Sequence, residues 1–311
     1  MIKKNKIVAI QADRLDSMNI KTDTTILLAL EAQKRGFRIF CYETKNLSFI
    51  NGKVYALSKE VTFNINAKNF YTIKNIKKLD LSKVNYILMR QNPPFNMNYI
   101  TATFLLEKIS KKVRIINDPT SVRNIPEKLH SIEFLKLMPP TIFTKDIKEI
   151  EKFKKKYKKI VVKPTHGYGG KNILFIDSNL NRNKMSKYIK KHDYVMVQKF
   201  LPQIKYGDKR VFIIAGKIKG AIRRIPVKGS ILSNIGQGGK AVKTNLTKSE
   251  LHIAKIVAKN LKKNKIVFAG IDLISNYLIG DINITSPTGL KNFKDLTGIN
   301  LAVDFWNYLE N

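Results

Sequence analysis

Cysteine is almost absent: the 311-residue chain carries one, Cys41. An intrachain disulfide is therefore impossible, and a zinc cluster of thiolates is excluded. Histidine is scarce, at four residues. Long apolar runs are missing too, since no stretch approaches the roughly 18 apolar residues that a membrane span requires. The opening MIKKNKIVAI runs directly into an apolar segment of about six residues, shorter than the core of a secretory signal. These absences predict a soluble, cytoplasmic protein. Acidic residues are also few. Against 58 Lys and Arg stand 23 Asp and Glu, giving a formal net charge of +35 and a pI near 10.1.

What is present is ordinary globular material. Hydrophobic residues make up 43% and aromatics 9%, which excludes a wholly disordered chain. The length suits two or three domains, each with its own core. The charge has two readings. A strongly basic chain carries the electrostatic footprint of a polyanion binder. Yet lysines outnumber arginines nearly five to one and occur in every stretch of the sequence. Dedicated nucleic-acid sites lean on Arg for bidentate and stacked contacts. A lysine-rich surface is the better description, and no specific nucleic-acid partner is expected.

The first 45 residues predict strand, helix, strand. Lys6–Gln11 is an apolar strand, Asp23 caps a helix through Arg35, and Gly36 ends it before a strand over Phe37–Tyr42. This order implies a parallel sheet with a right-handed crossover. Asn51-Gly52 predicts a hairpin between Leu47–Ile50 and Lys53–Leu57. A strand over Val84–Met89, a helix from Tyr99 to Ser110 and a strand over Val113–Asn117 complete an α/β unit of about 120 residues. Beyond it, a helix is expected over Pro126–Leu137, and a charged amphipathic helix over Asp146–Tyr157, whose KFKKKYKK run reads as solvated surface. Strands follow at Ile160–Lys163, Ile173–Ile176, Val195–Val197, Val211–Ile214 and Ile218–Arg223. A helix over 249–262, a hairpin of Val267–Ile274 with Leu278–Thr285, and a C-terminal helix close the chain.

Three clusters carry chemistry. Gly167, Gly169 and Gly170 join two strands just after Lys163. No helix follows, so neither a dinucleotide fingerprint nor a Walker loop fits. A Gly-rich hairpin can still lie over phosphates, because its backbone N–H groups reach anionic oxygens where no Cβ intervenes. In the second cluster, Asp281 and Asn283 share one face of a strand. A turn at Asn276-Tyr277 would set Asp272 opposite Asp281. Opposed carboxylates repel unless a cation lies between them, and a small set of hard oxygens suits Mg²⁺ shared with nucleotide phosphates. The third cluster is Gly207-Asp208-Lys209-Arg210, at the start of a strand, with Arg223-Arg224 nearby.

Taken in order, IKTDTT (Ile20–Thr25), LMRQNPPFNMNYITAT (Leu88–Thr103), INDPTSVRN (Ile116–Asn124), PEKL (Pro126–Leu129), LMPPT, VVKPTHGYGG, VQKFLP, GDKRV, RRIP, GGK, AGIDLI and DINITSPTG span essentially the whole chain. The series closely resembles the bacterial glutathione synthetases, members of the ATP-grasp superfamily. The resemblance implies an α/β ATP-grasp fold: an N-terminal Rossmann-like parallel-sheet domain (1–121), a central lid (122–200) and a C-terminal antiparallel catalytic domain (201–311). It implies ATP-dependent ligation of γ-glutamylcysteine to glycine through an acyl phosphate, with Mg²⁺ (or Mn²⁺) as the metal and a homotetramer as the assembly. Two alternatives stay open: another ATP-grasp peptide ligase with a different acceptor, and a degenerate shell that binds nucleic acid.

The same resemblance implies residue roles. Lys128 and Lys163 would contact nucleotide phosphates beneath a flap of Gly167, Gly169 and Gly170. The segment of Gln198, Lys199 and Leu201 would read adenine, and Asp208 would lie near the ribose. Asp272, Asp281 and Asn283 would hold the metal. Arg210 would neutralise the transferring phosphoryl group, and Arg224 the acyl phosphate or the oxyanion formed as the amine attacks. Ser286, Thr288, Gly289 and Arg90 would meet substrate carboxylates. The chain departs from the family pattern at Asp281, where Glu is usual, at Asn92 and Asn96, where Asp is usual, and at Leu232, where Arg is usual. Its metal hairpin is one residue longer.

Overall fold

The computed structural model describes residues 6–67 and 69–311. Three sheets organise them. The first contains β1 (Ile7–Gln11), β2 (Arg38–Tyr42), β3 (Leu47–Ile50), β4 (Lys53–Phe63), β5 (Tyr71–Asp80), β6 (Tyr86–Met89) and β7 (Arg114–Ile116). Its path runs β3-β4-β2-β1-β6-β7, with β5 paired to β4. The β1–β2, β1–β6 and β6–β7 pairs are parallel, as the strand–helix–strand order requires. Between β1 and β2 runs α1 (Thr24–Lys34), whose N-cap Asp23 accepts from Thr25 N. Asn96 caps α2 (Met97–Glu107) in the same manner.

The second sheet holds β8 (Thr141–Thr144), β9 (Ile160–Pro164), β10 (Leu174–Ile176) and β11 (Val195–Lys199), all antiparallel, in the order β10-β9-β11-β8. It packs on α4 (Ile147–Tyr157) and α5 (Arg182–His192) through Ile150, Phe153, Ile160, Val162, Met185 and Val195. Lysines 154–156 and 190–191 fall in the last turns of these helices, where cations complement the helix dipole. The KFKKKYKK run is thus helix surface, as expected.

The third sheet is β14-β13-β12-β15-β16, wholly antiparallel: β12 (Asp208–Ile214), β13 (Lys217–Ile225), β14 (Lys240–Lys243), β15 (Phe268–Ile274) and β16 (Tyr277–Asn283). One flank is covered by α6 (Lys248–Lys263), which opens with a capping box of Thr247 and Glu250. Then come α7 (Leu290–Thr297) and α8 (Leu301–Glu310). The last helix packs back on the first sheet's helix: the fully buried Trp306 donates Nε1 to Leu28 O at 2.9 Å and rests on Phe37, Tyr86 and Phe305.

Several expectations need correction. Asp118-Pro119 follows directly on the strand expected over Val113–Asn117 and does more than end it. It opens a short helix, α3 (Pro119–Asn124), because an Asp N-cap followed by Pro at N1 is itself a helix start. The Pro126–Leu137 helix is 3-10 turns over Leu129–Leu137, kinked at Phe134. Four elements were not anticipated. The outer edge strand β5 has nearly every residue exposed, and α5 buries only Met185, so neither shows a clear apolar period. Short β14 and α7 gave no stronger signal.

The metal hairpin also differs. Its turn is Ser275-Asn276 rather than Asn276-Tyr277, since Ile274 pairs with Tyr277 and Leu273 with Leu278. Ser275 takes the left-handed conformation, φ 51°, that the turn needs. Farther on, Ile271 pairs with Ile282 and Gly270 with Asn283. A bulge over Ile279–Asp281 absorbs the slack opposite Asp272, with Gly280 at φ 84°. A side chain at Gly280 would meet Met196 Sδ at 2.8 Å.

Cys41 is buried in β2, and burial pushes its thiol pKa up to about 12, which makes it an unreactive core residue. No helix among the described residues is long and apolar enough to cross a membrane. Trp306→Ala should destabilise the protein by about 3–5 kcal/mol, the usual cost of emptying a large aromatic site; the urea midpoint measures it, and an unchanged midpoint would refute α8 as a structural clamp.

Candidate active site

The second and third sheets face each other across a cleft of about 360 Å³, within the range of small-molecule sites. Every site residue expected from the sequence lines it except Lys128, Gly167 and Arg90. The first two stand just behind its wall: Lys128 Nζ donates to Gly167 O at 2.5 Å and lies 3.3 Å from Asp281 Oδ1. Arg90 lines a second cavity next door.

Strand register explains why the charges meet. In the third sheet Arg210 pairs with Asp272 across β12 and β15, and Asp208 pairs with Arg224 across β12 and β13. Opposite charges on directly opposed residues of one sheet attract. Arg210 donates Nε and Nη2 to the two oxygens of Asp272, the second at 2.8 Å. Arg224 grips both oxygens of Asp208 and also reaches Asp272 Oδ2 at 2.7 Å. Asp281 is held on one oxygen by Lys128 and on the other by Lys163, whose Nζ lies 3.2 Å away and also donates to Ile279 O. Lys128, Lys163, Arg210 and Arg224 are only 3%, 6%, 4% and 4% exposed. Four buried cations therefore answer three carboxylates.

The titration behaviour follows from this geometry. Burial alone would raise Asp272, but the guanidinium charges of Arg210 and Arg224 outweigh it and hold the carboxyl below its usual range. Asp281 is lowered as well, burial again being overcome by Lys163 and Lys128. Glu127 goes the other way: burial raises it, with Lys128 opposing. The sequence reading passed over Glu127, although it stands beside Lys128 in the PEKL phrase and lines the cleft.

Metal binding can be tested on the donor set. Asn283 Oδ1 is buried without a hydrogen-bond partner, a costly arrangement unless something accepts its lone pairs. It lies two residues from Asp281 on one strand, and Asp272 stands on the neighbouring strand. Two carboxylates and an amide oxygen are hard ligands that fit Mg²⁺ sharing its shell with phosphates. Among the described residues no three His, Cys, Asp or Glu side chains gather for a metal, so the amide is needed as the third donor.

The roof of the cleft joins two loops. Gln237 Nε2 donates to Gly169 O at 3.4 Å, and a Cβ on Gly170 would meet Asn234 Oδ1 at 2.8 Å. Gly170 also has φ 75°, so glycine is required there twice over. Leu232 lines the roof and would lie 3.6 Å from a Cβ on Gly170, an apolar contact where the family usually has a cation. Toward the other end, Phe200, Ile204, Ile274 and Ile279 provide apolar walls.

Comparison with known proteins resolves first the class and then the family. The chain superposes on the ATP-grasp ligase PsnB with a TM-score of 0.63, over 98% of each chain at 13% identity. With D-alanyl-alanine synthetase A of Vibrio cholerae the TM-score is again 0.63, over 100% of both chains at 13% identity. The fold is thus that of the ATP-grasp ligases. Sequence narrows it. Residues 7–123 match the prokaryotic glutathione synthetase N-terminal domain and residues 127–298 the prokaryotic glutathione synthetase ATP-grasp domain. The glutathione synthetase of Mesorhizobium japonicum is 39% identical, covering 97% of this chain and 97% of that protein. The chain belongs to the prokaryotic glutathione synthetase family.

Arg224→Met would leave Asp208 without its partner and Asp272 with Arg210 alone. Removing one member of a buried ionic network should cost about 3–5 kcal/mol. Arg224→Lys should recover only part of that, because an ammonium cannot replace the bidentate fork. Urea unfolding of the two variants measures both effects; equal stability of Arg224→Met and the parent would refute the network.

Proposed function

We propose that this chain is a glutathione synthetase, joining γ-glutamylcysteine to glycine at the expense of ATP. The observation that carries the reading is the set of four buried cations, held by ion pairs to Asp208, Asp272 and Asp281, gathered on one nucleotide-sized cleft. An incoming triphosphate and a substrate carboxylate replace those carboxylates as partners of the cations. The curated relatives named as glutathione synthetases support the same choice of substrates over almost the full chain.

In this reading Phe200, Ile204, Ile274 and Ile279 sandwich the adenine. The Lys199 amide is spent on Pro140 O at 2.9 Å, so the Lys199 carbonyl and the Leu201 N–H are the groups to read the base edge, with Gln198 set by its bond to Thr141 Oγ1 at 3.0 Å. Asp208 serves the ribose end through its ordered pair with Arg224. Lys128 and Lys163 exchange Asp281 for phosphate oxygens, and Gly167, Gly169 and Gly170 cover them. Asp272, Asp281 and Asn283 would hold Mg²⁺, which would screen the charge on the phosphates.

The acyl carboxylate attacks the γ-phosphorus and ADP departs, giving the acyl phosphate. Glycine's amine, having lost a proton, then attacks the acyl carbon and phosphate departs. Arg210 and Arg224 act by position and charge in both steps. Ser286, Thr288 and Gly289, just beyond β16, bind substrate carboxylates. Residues 1–121, 122–200 and 201–311 are the corresponding structural units, and a homotetramer is the assembly suggested by the family.

The direct test is ADP release with γ-glutamylcysteine and glycine, compared with other amino acids in glycine's place. Turnover only with a different amine would overturn the assignment. Asp281→Asn should abolish Mg²⁺-dependent turnover while circular dichroism stays unchanged; wild-type turnover in this variant would remove Asp281 from the metal set. Arg210→Ala should lower kcat far more than it weakens ATP binding, since the charge it faces grows during transfer. A loss confined to ATP affinity would show ground-state binding alone.

A further inference from the structure

Every residue of β12 and of β15 is buried, so neither strand has the alternation of apolar and polar positions that normally fixes register. Val211 and Ile213 share a core with Ile253, Val257 and Leu261 of α6, while Phe212 and Ile214 share theirs with Leu290 and Phe293 of α7. A slip of one residue in β12 would exchange one apolar pair for the other. It would also turn Arg210 out of the cleft.

Charge is what distinguishes the two registers, and it acts on both faces. On the cleft face Arg210 pairs with Asp272 and Arg224 with Asp208. Lys209 stands between Asp208 and Arg210 on the opposite face, where the cleft chemistry makes no use of it. It is 7% exposed, and its Nζ donates to Glu250 Oε2 at 2.6 Å and to Asn245 O at 2.8 Å. Glu250 is buried too, and through the same oxygen it accepts from Thr247 N at 2.7 Å. The carboxylate therefore belongs to the cap of α6 and cannot swing away without breaking it.

The two sets of pairs differ in their access to ligand. Arg210 and Asp272 line the cleft, whereas Lys209 and Glu250 do not. In the proposed reaction Arg210 turns to the phosphoryl group and Asp272 to the metal, which opens the pair between them and leaves Lys209 with Glu250 intact. A buried ion pair is weak evidence of stabilisation, since apolar residues of similar volume serve a core as well or better. Its best-attested use is to select one register among several.

We propose that Lys209 is a positioning residue. Its pair with Glu250 holds β12 in register against α6, and so keeps Asp208 and Arg210 in the cleft, once ligand has opened the Arg210–Asp272 pair. Lys209 touches no substrate; it acts through the two residues that flank it, which strand alternation sends to the other face. The inference rests on the reading that this cleft binds nucleotide with Mg²⁺ and passes its phosphoryl group to a carboxylate.

The test is the double variant Lys209→Met/Glu250→Gln. Met keeps the length of the side chain without its charge, and Gln serves a capping box as Glu does, so no buried charge is left unpaired. The urea midpoint should stay near that of the parent. With γ-glutamylcysteine and glycine, kcat should nonetheless fall roughly 10- to 100-fold, as displacement of a reacting group by about 1 Å entails, while the KM for ATP changes little. Hydrogen exchange on the peptide covering β12 gives a second readout. Without ligand the double variant should match the parent, because the Arg210–Asp272 pair still holds the strand. With Mg²⁺ and a non-hydrolysable ATP analogue its β12 amides should exchange roughly 10-fold faster than the parent's. Parental kcat in the double variant would overturn the proposal. So would β12 exchange raised equally with and without the analogue, the mark of a pair that serves stability alone. If the double variant fails to fold, Glu250→Gln by itself decides through the same two readouts. Absence of ligation in the parent would sink the proposed reaction, and the exchange comparison would still decide this inference. Ligation by the parent, with β12 exchange unmoved by the variant in either state, would sink the inference alone.

Discussion

Everything in the cleft depends on the pairing of Arg224 with Asp208 and Asp272. One guanidinium spans two carboxylates on different strands, and Arg210 holds the second of them from its other side. Removing such charges from water is expensive, and only their close mutual contact offsets the cost. The consequence is a rigid row of charges along β12, β13 and β15. In the proposed reaction, ligand binding amounts to an exchange of partners, with metal taking the carboxylates while phosphate and acyl oxygens take the cations.

That row is useful only if the three sheets keep their places. Asn117, at the end of β7, does much of this work. Its Nδ2 donates to Phe268 O and Ile284 O, and its Oδ1 accepts from Val267 N and Phe268 N. One buried amide thus fastens the first sheet to the third with its full bonding capacity. On the other side, Gly280 lets the bulge of β16 sit against Met196 and Met138 of the central unit. The bulge sets the position of Asp281 within reach of Lys128 and Lys163. The substitution of Asp for the family's usual Glu therefore occurs where the backbone itself is displaced.

The parts that were legible in the sequence were those with local causes. Alternation and caps located β1, α1, β2, the Asn51-Gly52 hairpin and α6, because each depends on residues within a turn of one another. The glycine flap was legible for the same reason. Less was visible where a segment lacks an apolar period: β5 and α5 are mostly exposed and rich in lysine, so their stability comes from edge pairing and from one buried face made elsewhere. The hairpin turn was misplaced by one residue, since a bulge can compensate a shifted turn without altering the register beyond it. Glu127 was overlooked because a lone acid beside a lysine carries no signal until burial is known. The charge of +35 was a poor guide for the opposite reason: it is spread over helices, strands and loops alike, and the cations that gather in the cleft are a buried few.

The sequence by itself determined the order of strands and helices, the residue types available for phosphate and metal, and membership in a family through the collinear run of motifs. These are properties of neighbours along the chain. Tertiary structure alone decided which cation meets which carboxylate, that Asn283 keeps an unpartnered oxygen, and that Arg90 is enclosed with an idle donor beside Asp13 and Asp23. Such features arise from strand register and from contacts between residues as far apart as Arg90 and Pro287. Burial there leaves a polar group without its water and without a protein partner, and burial is a property of the packed chain.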